Sequence, residues 1–269
     1  VETGSKPCGI LGVGDRVWVS NFGDDDLVSI DPTTMAVGKP TEVGVSPCGL
    51  AAGAGSIWVE NFGDNTVTRV DATTGKAQHT FDVGGAPYDV TFAGGAAWVT
   101  NYSDGTVSRI DAASGRTTTI RTGGTPTGIA PAGGSVWAGL GDRGIVGIDV
   151  ATGRVTHRVK AKAAGWTAYD GDTVWVNVGA QTWRLDGRTG KVTGRYDVGN
   201  TPADGSVVGG DVVVPDQSGT LYLIKGDDVT GPFHSGLANP FVLVGYRGLV
   251  WSVDFQGHDV VSFDPADMR

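Results

Sequence analysis

The sequence predicts an all-β fold, a seven-bladed β-propeller of four-stranded antiparallel blades, and three observations carry the prediction. A tryptophan-centred phrase recurs along the whole chain: Trp18, Trp58, Trp98, Trp137, Trp175, Val213 and Trp251 follow one another at intervals of 40, 40, 39, 38, 38 and 38 residues. Eleven residues before each stands Pro7, Pro47, Pro87, Pro126, Ala164, Pro202 or Pro240. Within each interval the apolar residues keep a two-residue period broken by glycine-rich turns, and no helical period intervenes. A repeat of this length holding four short strands is a propeller blade, since each sheet covers its neighbours and closure removes the exposed ends.

The second copy shows how each element is read. Leu50–Ala52, made of small residues, suits a strand crowded against an axis. Ser56–Asn61 puts Ile57 and Val59 on one face and Trp58 on the other, so it is expected to be buried on both sides. Thr66–Asp71 mixes in polar residues and belongs farther out, and Gln78–Val83 is the outer strand. Between them Asp71-Ala-Thr-Thr-Gly-Lys76 recurs as Asp111 to Arg116, Asp149 to Arg154 and Asp186 to Lys191. An Asp carboxylate can accept from the backbone of the following turn, and Gly takes the left-handed position that closes it. The last copy ends after its third strand, while Val1-Glu2-Thr3-Gly4 matches the end of a fourth strand, Thr41-Glu42-Val43-Gly44. The N-terminus is therefore expected to complete the last blade and latch the ring, giving a single domain over residues 1–269.

Composition excludes several function classes. Charged residues make up 18% and apolar residues 39% of the 269, which is globular rather than disordered. A net charge of −9 speaks against nucleic acid or an anionic membrane as the main partner. The exception is Arg154, His157, Arg158, Lys160 and Lys162, which reads as a guarded strand edge or as a small anionic docking patch. No apolar run reaches the length of a transmembrane segment. The chain begins at Val1 without Met, from which a secreted, periplasmic or cell-surface location is expected.

The pieces Trp58-Val-Glu-Asn61, Thr66 to Asp71, Phe81-Asp-Val-Gly84 and Pro87 resemble the YVTN-type propeller repeat over nearly the whole chain. That resemblance implies a seven-bladed propeller of the kind common in exported bacterial proteins. The tryptophan phrase is also similar to that of the virginiamycin B lyase-like propellers, whose elimination chemistry implies a channel histidine and a metal-binding acid. The chain departs from that pattern, because His79, His157 and His234 fall on outer strands and His258 in a turn.

Candidate site residues come from comparing equivalent positions around the ring. Directly after the proline position stand Cys8, Cys48, Tyr88, Thr127, Gly165, Ala203 and Phe241, and one residue further Gly9, Gly49, Asp89, Gly128, Trp166, Asp204 and Val242. Glycine is the default at the second position, so Asp89, Trp166 and Asp204 break a local rule without a folding reason. Cys8 and Cys48, about 6–8 Å apart by this reading, could form a disulfide, could be two small apolar side chains, or could be a thiolate pair that reacts or binds a soft metal. Glu60 is the one acid at its own position in the repeat. Asn21, Asn61, Asn101, Asp216 and Asp254, at the ends of the second strands, either hold the turns that follow or form an arc of oxygen ligands for a hard cation. Phe22, Phe62, Tyr102 and Phe255 follow them as an aromatic arc, suited to a cationic or sugar-like ligand or simply packed over the loops.

These residues lead to two expectations at one place, the channel mouth on the face of the proline-bearing loops. The first is a binding propeller, a monomer holding a small molecule or a protein segment through Tyr88, Asp89, Trp166, Asp204, Phe241, Glu60, Cys8 and Cys48. The second is an enzyme of the lyase, lactonase or isomerase kind, acting through Asp89, Asp204, Cys8 or Cys48, with no cofactor motif but room for a divalent metal. Asp89 and Asp204 lie three blades apart, so close contact between them is not expected.

Overall fold

Alternation along short strands, with turns at fixed places, produces seven antiparallel sheets of consecutive strands in the computed structural model, which describes residues 1–237 and 240–268. Blade two consists of Pro47–Gly53, Ser56–Asn61, Thr66–Asp71 and Ala77–Asp82. Its middle strands match the expected bounds. The innermost strand starts earlier than expected, at Pro47, because a bulge between Pro47 and Leu50 lets the ladder resume with Pro47 opposite Asn61.

Both faces of the second strand are buried as anticipated, and the reason is the ring itself. Apolar clusters lie between neighbouring sheets, one at each of the seven junctions. Trp58, Val67 and Phe81 of blade two, for example, pack on Val90, Val99 and Ile110 of blade three. Ile10, Val17 and Ile30 of blade one meet Trp251, Val253 and Val260 of blade seven and close the circle. Trp58, Trp98 and Trp137 are fully buried. Each donates its indole N–H to a backbone carbonyl, Gly53 O at 3.2 Å, Ala93 O at 3.1 Å and Ala132 O at 3.3 Å.

The N-terminus latches the ring as the repeat arithmetic implied. Blade seven has three strands of its own, Pro240–Tyr246, Leu249–Asp254 and Val260–Phe263. Its outer edge is paired by the first residues of the chain: Val260 N–H donates to Val1 O (2.9 Å) and Thr3 N–H to His258 O (3.1 Å).

The Asp-x-x-Thr-Gly turns also form as read. Asp71 Oδ1 accepts from Thr73 N (3.0 Å) and Thr74 N (2.7 Å), and Gly75 takes φ +69°. Asp31 builds the same turn with Thr33 and Thr34 (2.8 and 3.1 Å), with Met35 in the left-handed position at φ 59°. The repeat reading missed this turn because Met stands where Gly was the signal.

Candidate functional site

Seven innermost strands leave a central cavity of about 470 Å³, lined from Gly9, Gly49 and Asp89 at the loop face down to Gly12, Ala52 and Phe92 at the other end. Its wall mixes aliphatic side chains with backbone polar groups and the two carboxyls, and among the described residues no Lys, Arg or His lines it. Glycine at the second position after the proline is needed because the next blade's inner strand comes close. A Cβ at Gly128 would stand 2.7 Å from Trp166 Cα and Thr167 N, and one at Gly9 would collide with the Cys48 carbonyl.

Cys8 and Cys48 form a disulfide across the first two blades, with Cα atoms 4.9 Å apart. The inner strands approach more closely than the estimate from blade spacing, so the readings as free thiolate, thiol nucleophile or soft-metal pair are corrected. Cys48 lines the cavity, whereas Cys8 is buried behind it.

The bulge that starts the inner strand in blades one, two and three leaves an N–H outside the sheet ladder, and one side chain of the second strand collects it. Ser20 Oγ accepts from Gly9 N (2.9 Å) and donates to Cys48 O of the next blade (2.7 Å). Thr100 Oγ1 accepts from Asp89 N (3.0 Å) and donates to Thr127 O (2.6 Å). Asn177 Nδ2 donates to Ala203 O in the same way (2.7 Å). Glu60 fills this position in blade two, with Oε2 accepting from Gly49 N at 2.7 Å. It is fully buried between blades and does not line the cavity, which corrects the expectation of an acid at the mouth. Burial, with the charge of Asp89 nearby, holds its carboxyl well above the ordinary glutamate range.

Asp89 and Asp204 do share the cavity. Asp89 Oδ1 accepts from Val90 N (2.7 Å), and Oδ2 reaches into blade four to accept from Ile129 N (2.8 Å). Burial outweighs these bonds and pushes its carboxyl up to about 7. Asp204 is raised well above the usual range by burial and then by the charge of Asp89. The two groups sit on blades three and six, yet the ring is narrow enough for one to feel the other. Both are only partly exposed and protein walls surround them, so their ionised forms are poorly solvated.

Above the carboxyls the two aromatic groups of the sequence merge into one collar. Ring centroids run Phe22–Phe62 6.4 Å, Phe62–Tyr88 6.5 Å, Tyr88–Trp166 5.1 Å, Trp166–Phe241 5.6 Å, Phe241–Phe255 5.3 Å and Phe255–Phe22 5.6 Å, a closed circuit. Tyr102 leans on Tyr88 at 5.7 Å. Only Tyr88 and Trp166 of these line the cavity, so the others stand over it on the loop face. Tyr88–Trp166 spans blade four and Trp166–Phe241 spans blade six, where glycine and alanine leave room. Phe62 and Tyr102 remain 39% and 43% exposed, which keeps apolar surface in contact with solvent at the mouth.

The oxygen arc does not gather. Asn61 Nδ2 donates to Thr66 and Thr68 (both 2.9 Å), and Asn101 Nδ2 to Thr106 and Ser108 (both 2.9 Å). Asn21 Nδ2 donates to Asp26 Oδ1 (2.7 Å). Asp216 accepts from Asn200, Thr201 and Ser218, and Asp254 from Gln256 N (3.2 Å). Each is therefore engaged with its own blade or an adjoining segment (Asn21 also with Thr3 of the N-terminal strand), and no group of three metal-ligating His, Cys, Asp or Glu exists among the described residues. His79, His157 and His234 lie on outer strands and His258 in a turn, all outside the cavity. Arg154, Arg158, Lys160 and Lys162 are exposed along the outer edge of blade four.

No protein-family model and no curated protein sequence matches the chain. Solved structures do. Kuenenia stuttgartiensis hydrazine synthase aligns with TM-score 0.82 and 15% identity over 96% of this chain and 95% of that one. BamB from Moraxella catarrhalis aligns with TM-score 0.67 and 15% identity over 97% and 84%. The computationally designed Ika8 protein aligns with TM-score 0.72 and 16% identity over 98% and 90%. The likeness is one of fold. At such identities it carries no site and no substrate across.

Proposed function

We propose that this chain is an exported, monomeric binding propeller of one domain, which takes a small molecule or a protein segment at the collar-ringed mouth of its channel. The observation that carries the reading is the collar itself, a circuit of six rings from five blades set over a cavity that holds two carboxyls. A concave site with aromatic walls and few polar groups is the usual form of a ligand pocket. Export is supported by the Cys8–Cys48 bridge, which persists in oxidising compartments. No helix among the described residues is long and apolar enough to cross a membrane.

A thermal-shift screen of small molecules and peptides, run in parallel on wild type and Trp166→Leu, tests the reading. Compounds that stabilise wild type but not the variant support it, and a diverse set with no such difference refutes it.

One observation favours a second reading, lyase, lactonase or isomerase chemistry at the same mouth. The Asp89 carboxyl, pushed up to about 7, can both take and give a proton near neutral pH. Turnover of a bound compound that disappears in Asp89→Asn would establish this, and turnover unaffected by that change would remove Asp89 from it.

A further inference from the structure

We infer that the ligand of this mouth is an organic cation, an alkylammonium or quaternary ammonium group held between the collar rings and the carboxyls of Asp89 and Asp204. The inference rests on the mouth being a binding site and adds the charge and shape of what it binds.

Three observations converge on it. The first is an unbalanced charge. Neither Asp89 nor Asp204 takes part in a salt bridge among the described residues, and no basic side chain lines their cavity. Two desolvated acids within reach of each other's charge stabilise the protein only when protonated or when a cation joins them. The second is the state of the collar faces. This chain stacks arginine on aromatic rings repeatedly, as in Arg69 on Trp58, Arg109 on Trp98 and Arg184 on Trp175, yet among the described residues no cationic side chain lies over a collar ring. Electron-rich faces at the mouth are left to a cation from outside. The third is the form of the circuit. Its rings follow one another around the mouth, each beside the next, with Tyr88 and Trp166 facing the cavity that holds the carboxyls.

The same details disfavour other ligands. A hard metal ion wants six or more oxygens, but both oxygens of Asp89 already accept backbone N–H groups, and no third metal-ligating His, Cys, Asp or Glu joins the two carboxyls among the described residues. A neutral sugar needs a ring of hydrogen-bonding partners. Among the hydroxyl side chains that line it, that of Thr167 is itself buried and out of a ligand's reach, and that of Ser206 already accepts from Gly245 N. An ammonium group with alkyl substituents asks for one or two charges and apolar contact, which the carboxyls and the collar rings supply.

Isothermal titration calorimetry with choline and with butylammonium tests the inference, using dimethylbutanol (the uncharged carbon isostere of choline), calcium and glucose as comparison arms. Choline or butylammonium should bind saturably, with the isostere weaker by about tenfold or more. The double variant Asp89→Asn/Asp204→Asn should lose about as much affinity for the cation. Asp204→Asn alone, which disturbs neither backbone N–H bond of Asp89, should weaken the cation while its urea midpoint stays or rises, since it removes buried charge. Trp166→Leu should weaken binding and Trp166→Phe should largely keep it. Equal binding of cation and isostere, no loss in the double variant, or preference for calcium overturns the cation. If uncharged compounds bind wild type but not Trp166→Leu, the mouth stands as a site and only the cation falls. Failure of both cations to bind also overturns the inference, and a negative screen beside it would overturn the binding reading too.

Discussion

Replacing Glu60 tests the inter-blade hydrogen-bond scheme directly. Ser20, Thr100 and Asn177 each donate to the carbonyl of the first residue after the proline position in the next blade, at 2.7, 2.6 and 2.7 Å. By the same register the carbonyl facing Glu60 is that of Tyr88. A carboxylate cannot donate to it, whereas a carboxylic acid can. Glu60 Oε1 is buried and receives no hydrogen bond, and burial raises the group's proton affinity, both of which favour the neutral acid in the folded protein. The unfolded chain releases that proton near its ordinary value of 4.5. A folded value raised above the unfolded one gives stability that is complete below the unfolded value and is lost as pH rises through the folded one. The slope in that window approaches about 1.4 kcal/mol per pH unit for one group. Asp89, Asp204 and Tyr88 face the same region, so the comparison must be with a variant. Glu60→Gln keeps the shape and supplies an amide donor without a proton to lose. It should match wild type within about 1 kcal/mol at low pH, where both donate. It should become progressively the more stable of the two as pH rises. Glu60→Ala strips the acceptor from Gly49 N–H and should cost about 1–3 kcal/mol throughout. Urea unfolding from about pH 5 to about pH 9 reads these differences. Parallel stability curves for wild type and Glu60→Gln, or a Gln variant that is the weaker at high pH, would show that Glu60 is ionised and that the scheme is mistaken.

Further predictions concern the scaffold. Reducing the Cys8–Cys48 bridge, which closes 40 residues of sequence, should lower stability by about 3–4 kcal/mol on the loop-entropy model, and oxidised native protein should show no reactive thiol. Gly128→Ala should be destabilised by about 1–3 kcal/mol, read from the urea midpoint, because its Cβ would meet the backbone of Trp166 and Thr167. Asp186, whose carboxyl is held below the usual range by the Thr189 hydroxyl and backbone N–H, should behave oppositely to Glu60. Its contribution is present above the unfolded value of 3.8 and fades as pH falls through the folded one, so wild type and Asp186→Ala should converge in acid. Deleting Val1 to Thr3 should expose the edge of blade seven, and the Val260 amide, which donates to Val1 O, should lose its hydrogen-exchange protection while blades three to five keep theirs.

The scaffold was legible in the sequence because its rules are local. Strand alternation, the Asp-x-x-Thr-Gly turns and the spacing of the tryptophans each concern residues close together in the chain, and the repeat multiplies the signal. Even the latch followed from counting strands, since Val1 to Gly4 has the pattern of a fourth strand and blade seven lacks one. What tertiary structure decided lies between blades, where separations of about 40 residues in sequence become a few ångströms in space. Cys8 and Cys48 stood in one slot of neighbouring copies, and only the close approach of the inner strands made them a disulfide. Glu60 read as an odd acid at the mouth, but the bulge turned its position inward, onto the backbone of the adjoining strand. Asp89 and Asp204 were placed too far apart to interact, because blade number measures angle around a ring and not its narrow width. The aromatic residues were legible one by one, as an arc after the second strands and a set after the prolines. That they close into a single collar depends on side chains reaching across blades four and six, a distance that no spacing in the sequence encodes.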